Sequence, residues 1–425
     1  MQPKKRLLFV VCTTLGVVAC GKNAPQIRST SASETVGVDD PLDGFWPDAS
    51  RYLADNISAA DVGKTFGVDD AHIPYADSAW RFDAGGIDQR WNDGADSALA
   101  KYMAAVDPSE ADAAAQWERQ NHGVDAQTDS TTRARFDHAL GWAGAAMNGA
   151  PVVHAIDLRL NETGAWEACG EEASGCTHFE VGDINALLAE VFLDARGSYL
   201  GQVCNRPPSA IARDSYGRVA SDDAESRIYR GCQGINPGAL VIALGESMKR
   251  NAQAVGISPQ SADSTATTWR PAYRTTVYGY EALTEWQAGR LMRGFPKNEL
   301  IPAPYEWNST ARGFVRLDLG ITYVEALDAP IRDFVNGSSV AKELRVAAIL
   351  ELDRAPSDAN AKIIGGEYIE DATVGASRTA VTSTILTIAA PPNRENRPTT
   401  LRGGIWANPY VSPREVLALA KLAAE

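Results

Sequence analysis

Trp117-Glu118-Arg119-Gln120-Asn121-His122-Gly123, followed further along by Asp137-His138-Ala139-Leu140-Gly141-Trp142-Ala143-Gly144-Ala145-Ala146, carries most of what this chain says about its fold. Residues 134–147 are dominated by Ala and Gly, with Trp142 and Met147 as the large members. Such a run predicts a helix with a thin surface, suited to close packing against a sheet. His138 stands at the entry of that helix, and Asp137 precedes it.

Working outward, Asp183 predicts an N-cap for a helix in which Ile184, Leu187, Leu188, Val191 and Phe192 recur at i, i+3, i+4, i+7 and i+8. Asn236 is a second N-cap, with Pro237 at the first helical position and Leu240, Val241, Leu244 and Met248 after it. Leu99, Tyr102, Met103 and Val106 share one helical face of residues 95–106. From Trp269 the period changes to two. Residues 269–281, 314–326, 344–352, 362–369 and 379–388 read as strands, with Ala355-Pro356-Ser357-Asp358 in a hairpin connection. Ser412 and Pro413 start a terminal helix through Leu419. Helices first and an antiparallel sheet afterwards is an α+β order.

The chain has 425 residues, 44% hydrophobic and 22% charged, which is enough for a sizeable core. Lys4-Lys5-Arg6 precedes an apolar stretch from Leu7 to Val18 that ends in Val17-Val18-Ala19-Cys20. This start resembles the signal peptides of bacterial lipoproteins, which implies cleavage before Cys20 and thioether lipidation of its sulfur. Gly21, rather than Asp, after the cysteine points to the outer membrane. The alternative is an ordinary signal peptide in which Cys20 is incidental. Lipid chains hold a protein through burial of methylenes at ~0.8 kcal/mol each, so the membrane is expected to be reached through this anchor only. No later run approaches the length of a spanning helix. Residues 20–42, rich in Ser, Thr, Asp and Gly, read as a flexible tether with a reach of ~25 Å. The expected organisation is therefore a signal peptide over 1–19, a tether over 20–42, a helical lobe over 43–110 and an α+β domain over 111–425. The formal net charge is −14, and three units more negative once Lys4, Lys5 and Arg6 are removed. So acidic a domain is a poor partner for nucleic acid or anionic lipid surfaces.

Beyond the signal peptide and Cys20, the chain keeps Cys169, Cys176, Cys204 and Cys232. An even number of thiols in an oxidising compartment reads as two disulfides with three possible connectivities. A four-thiolate zinc site competes with that reading, but no paired C-x-x-C spacing supports it.

The quoted segments are similar to the transglutaminase elicitor family, in which W-E-x-x-N-H-G precedes G-H-C-N-G-W-A-A-A. Other pieces follow in the same order. Pro74-Tyr75 through Trp80 and Gly86-Ile87-Asp88-Gln89-Arg90-Trp91 resemble P-W-P…Y-W…D-G-I-N-x-R-W, and Phe179 to Leu188 resembles F-x-x-x-D-I-K-A-L-L. Asn236 to Leu244 resembles N-P-G-x-F-H-I-A-L, Trp269 to Glu281 echoes V-W-N-Q-P-V-x-G-Y-E, and Ile364-Gly365-Gly366-Glu367-Tyr368 matches I-G-G-E-W. The resemblance implies a papain-like or transglutaminase-like α+β fold, with its helical N-terminal part packed on a C-terminal antiparallel sheet. It also implies pairing of Cys169 with Cys176 and of Cys204 with Cys232, the latter closing a polar loop over residues 206–230.

The chemistry of that family uses a cysteine thiolate, a histidine base and a group orienting the base. Here Ala139 stands at the nucleophile position, Val241 at the histidine of N-P-G-x-F-H, and residues 377–384 lack the His and Asp of the family's S-K-x-x-H-P-D-F. No catalytic residue is therefore expected, and Ala139 is expected at a helix N-terminus facing Val241. His122, His138, Trp142 and Trp269 are candidate cleft residues. The two tryptophans read alternatively as core packing, and His138 could with Asp137 serve a nucleophile such as Ser130. His72, His154 and His178 have no ligand-like spacing, so neither metal nor cofactor is expected. The resulting expectation is an inactive lipoprotein of the bacterial envelope that acts as a binding or scaffold module, with a protein, a peptide or cell-wall glycan as its candidate partners. Its rival is an active acyltransferase or amide hydrolase with an unrecognised nucleophile.

Overall fold

The computed structural model describes residues 49–92, 95–122, 137–170, 174–193, 197–200, 235–258, 269–295, 302–371, 373, 375–376, 385–389 and 407–425. The signal peptide, Cys20, the tether, Ser130, Cys204, Cys232 and the loop at 206–230 lie outside the described residues.

In chain order the elements are β1 (Thr65–Gly67), α1 (Ala98–Val106), α2 (Ala111–His122), α3 (Ala139–Asn148), β2 (Ile156–Leu160), β3 (Trp166–Ala168), β4 (Thr177–Phe179), α4 (Val181–Phe192), β5 (Gly197–Leu200) and α5 (Pro237–Leu244). There follow β6 (Val255–Ser258), β7 (Arg270–Leu283), α6 (Glu285–Met292), β8 (Gly313–Val324), β9 (Ala341–Leu352), β10 (Ile363–Tyr368), β11 (Ile385–Ala389) and α7 (Pro413–Ala424). The large sheet runs β10-β9-β8-β7-β6-β11-β5 with β1 added on β7, and its pairings are antiparallel. A second, small sheet runs β3-β2-β4. The α+β class therefore holds.

Alternation along the strands assigns two faces to the large sheet. On β8, Val315, Leu317, Leu319 and Ile321 enter one core with α5, while Phe314 and Val324 point the other way into separate cores. On β7, Ala272 joins the α5 core and its neighbour Tyr273 joins the core of α1, α3, α4 and α7. Helix α5 is fixed to β10 by Gly238, where a Cβ would lie 2.7 Å from the Gly365 carbonyl oxygen, and by Asn236 Nδ2 donating to Gly366 O (3.3 Å). Helix α3 packs on the opposite face, against β6, β7 and β11.

Several expectations shift by a few residues for local reasons. Helix α4 starts at Val181, because Glu180 is the N-cap and Asp183 closes a capping box from the third position. It is buried all round, including Asp183, Asn185 and Glu190, so it is a central helix rather than an amphipathic one. Residues 49–110 do not stand apart as a helical lobe. Leu53 and Ile57 belong to the α5 core, Tyr75 to Met103 contribute to the α3 core, and β1 pairs with β7. The Cys169–Cys176 disulfide is present, with Cα atoms 6.3 Å apart. No helix among the described residues is long and apolar enough to cross a membrane.

Candidate functional site

Ala139 is the first residue of α3, and it is fully buried. Its N–H donates to Asp137 Oδ1 (3.0 Å), and burial pushes the Asp137 carboxyl up to about 7 despite that bond. The expected partner is not there. Val241 is buried in the α5 core on the other face of the sheet, so Ala139 does not face it. The reason is the seat of α5 on β10, which commits the whole N-P-G helix to that face. Trp142 and Trp269 are likewise core residues of the α3 side rather than cleft walls.

The residue before Ala139 sits in a group of four buried ionisable side chains. His138 Nε2 lies 2.5 Å from Glu190 Oε2 and 3.7 Å from Glu118 Oε1. His122 Nδ1 lies 3.3 Å from Glu118 Oε2 and 3.6 Å from Glu190 Oε2, at ion-pair distance, and neither ring nitrogen of His122 makes a hydrogen bond. All four side chains are 2% exposed or less. Burial alone would lower the His122 pKa. The carboxylates of Glu190 and Glu118 outweigh it and lift the imidazole to about 10. Burial likewise pulls Glu190 upward, and the charges of His122 and His138 override that and hold it well below the usual carboxylate range.

Local structure explains the convergence. Asp107 caps the turn at Pro108–Glu110 that leads into α2, whose buried face is Ala114, Glu118 and His122 at successive steps of four. Helices α3 and α4 touch through glycine: a Cβ on Gly141 would lie 1.8 Å from Ala189 O. That approach brings the start of α3, with His138, against Glu190, the residue after Ala189. From above, Gly86 (φ +57) covers the group, where a Cβ would lie 2.6 Å from Glu118 Oε1 and 3.1 Å from His138 Cε1.

Each of three members is held from outside. Trp80 O accepts from His138 Nδ1 (2.8 Å), and Trp80 adopts φ 45°, a left-handed conformation that strains a bulky residue by about 1–2 kcal/mol. Asn408, itself fully buried, donates its backbone N–H to Glu190 Oε1 and its Nδ2 to Glu118 Oε2 (3.1 Å). The Ile87 N–H donates to Glu118 Oε1 (3.3 Å). His122 is instead stacked on Phe82 (4.6 Å between centroids) and met edge-on by Trp117 (5.0 Å). The sequence pointed to His122 and His138 and missed Glu118, Glu190 and Asn408. The available signal was Glu118-x-x-x-His122, which places two potential ligands on one helical face.

Elsewhere, a concavity of about 670 Å³ opens between β7, β8 and α6, lined among others by Tyr280, Glu281, Phe295, Arg316 and Asp371. Arg316 is held there by Asp318 (3.1 Å) and Asp371 (2.6 Å).

The fold is similar to that in the crystal structure of the GP42 transglutaminase from Phytophthora sojae. The superposition has a TM-score of 0.60 at 15% identity and covers 90% of this chain and 96% of that one. The architecture is thus transglutaminase-like. No sequence family and no curated protein matches the chain in sequence.

Proposed function

We propose that this protein is a lipid-anchored module of the bacterial cell envelope, most at home in the outer membrane, that uses a transglutaminase-like fold for binding rather than for acyl transfer. One observation carries the reading: the first residue of α3, where the resembling family places its thiolate, is the buried methyl of Ala139. A methyl group can neither attack a carboxamide nor hold an acyl group. The neighbouring base is also committed, since His138 holds Trp80 O with one nitrogen and Glu190 with the other. The concavity at Arg316 has the size of a ligand site and offers charged and aromatic groups to a protein, a peptide or a wall glycan.

The test is incorporation of labelled cadaverine into a glutamine donor. Incorporation equal to that of heat-denatured protein supports the reading, whereas a clear excess sinks it in favour of an acyltransferase or amidase with another nucleophile. The anchor is tested separately by metabolic labelling with palmitate, which Cys20→Ala should abolish.

A further inference from the structure

We infer that Glu118, His122, His138 and Glu190 form a closed structural site for one divalent transition-metal ion of the zinc type.

The donor set is right for such an ion. Two imidazoles and two carboxylates suit a borderline metal, whereas calcium and magnesium take oxygen shells. One ligand atom from each of the four residues lies within 4.8 Å of all the others. The individual separations of 2.5, 3.3, 3.6 and 3.7 Å straddle the ~3.3 Å between donors in a tetrahedron with ~2.0 Å bonds.

The hydrogen bonding points the same way. A neutral imidazole has one N–H and one lone pair. His138 directs Nδ1 at the Trp80 carbonyl, which fixes that nitrogen as the donor and leaves Nε2, 2.5 Å from Glu190 Oε2, as the atom that would meet a metal ion. The positive charge at that contact is carried by a second ring proton or, in its place, by a bound metal ion. Metal-bound histidines commonly show this pattern, with the remote N–H on a backbone carbonyl. His122 is the second indication, a buried ring with no hydrogen bond at either nitrogen and Nδ1 beside both carboxylates. The outer carboxylate contacts from Ile87 and Asn408 complete a second shell that orients Glu118 and Glu190.

Four protein ligands, all buried, leave no open coordination position. The site would therefore be structural, stapling α2 and α4 to the start of α3 and, through Asn408, to the segment that leads into α7. It is independent of the binding reading above.

The full-length chain, purified in mild detergent and stripped with a chelator, is dialysed against Zn²⁺ or Co²⁺. One equivalent is expected to remain, with intense visible absorption from four-coordinate Co²⁺ and an X-ray absorption spectrum showing two imidazoles and no sulfur. His122→Ala should weaken binding at least ~100-fold, while His178→Ala, at an exposed histidine beside Asp157, should leave it unchanged. Substoichiometric retention, a shell with fewer than two imidazoles, or undiminished binding by folded His122→Ala overturns the inference. If His122→Ala does not fold, the imidazole count of the unsubstituted protein decides, because the other described histidines, His72, His154 and His178, are exposed and apart from this group.

Discussion

His138 and Glu190 meet 2.5 Å apart with neither side chain accessible to water, one at the entry of α3 and the other late in α4. The contact exists because α3 has glycine where the helices touch, and it occupies the histidine that adjoins Ala139. The close approach of the two helices thus also engages both nitrogens of the imidazole that stands beside Ala139.

A thiol introduced at Ala139 is therefore expected to confer no acyl-transfer activity. Ala139→Cys places a thiol at a fully buried position whose neighbouring imidazole has both nitrogens engaged. We expect cadaverine incorporation by this variant to equal that of a heat-denatured sample, and no thioester to appear by mass spectrometry with a glutamine peptide. A trapped acyl-enzyme would show that a base and an access route survive.

Lys101 and Asp183 make the second buried charge pair, 2.5 Å apart and 12% and 0% exposed, joining α1 to α4. Asp183 also accepts from Trp91 Nε1 (3.0 Å) and from the Glu180 N–H (2.9 Å), so its carboxylate is fixed whether or not the lysine is present. Lys101→Met leaves that charge buried with neutral donors only. The expected cost is about 3 kcal/mol, read as a lower midpoint in urea with an unchanged slope. A change within about 0.5 kcal/mol would mean that water screens the pair.

These two cases show what the sequence could reveal. Asn236-Pro237 and Ser412-Pro413 mark helix starts correctly because capping is a local matter, and the period of two locates β7 to β10, while β11 lies at the described end of the last expected strand. Strands β5 and β6 are not legible, since they are short and take their place through pairing with other strands, β5 with β11 and β6 with β7 and β11. Val241 was expected opposite Ala139 because a motif gives order along the chain and says nothing about which face of a sheet its helix covers. Glu190 was hidden for a further reason. In a helix read as amphipathic it falls on the solvent side, and only the burial of that whole helix turns it inward.

Gly141 offers a direct test of the helix contact. A methyl there would lie 1.8 Å from Ala189 O and 2.7 Å from its carbonyl carbon, both backbone atoms that cannot rotate away. Gly141→Ala gains helix propensity of about 1 kcal/mol but must separate α3 from α4. We expect a net loss of about 2–3 kcal/mol, with overpacking prevailing over propensity. In an exposed helix the same substitution would stabilise, so the sign alone decides whether the contact is as close as described.

Asp77 gives the pH dependence. Its carboxyl is completely buried and accepts from the Ser78 N–H (2.7 Å) and Trp80 Nε1 (3.2 Å), yet burial outweighs these bonds and pushes its pKa up to about 7. Its titratable neighbour Tyr75, raised by its own burial and further by Asp77, stays neutral throughout. An unfolded Asp titrates near ~3.9. The native state therefore binds the proton more tightly, so the contribution of Asp77 is fully present below about pH 4 and is lost as pH rises through about 7, at up to ~1.4 kcal/mol per unit. Asp77→Asn carries no charge at any pH. The difference in unfolding free energy, variant minus wild type, should rise by a few kcal/mol between pH 4 and pH 8, measured by urea titration at each pH. A flat difference would show that Asp77 keeps an ordinary pKa in the folded protein.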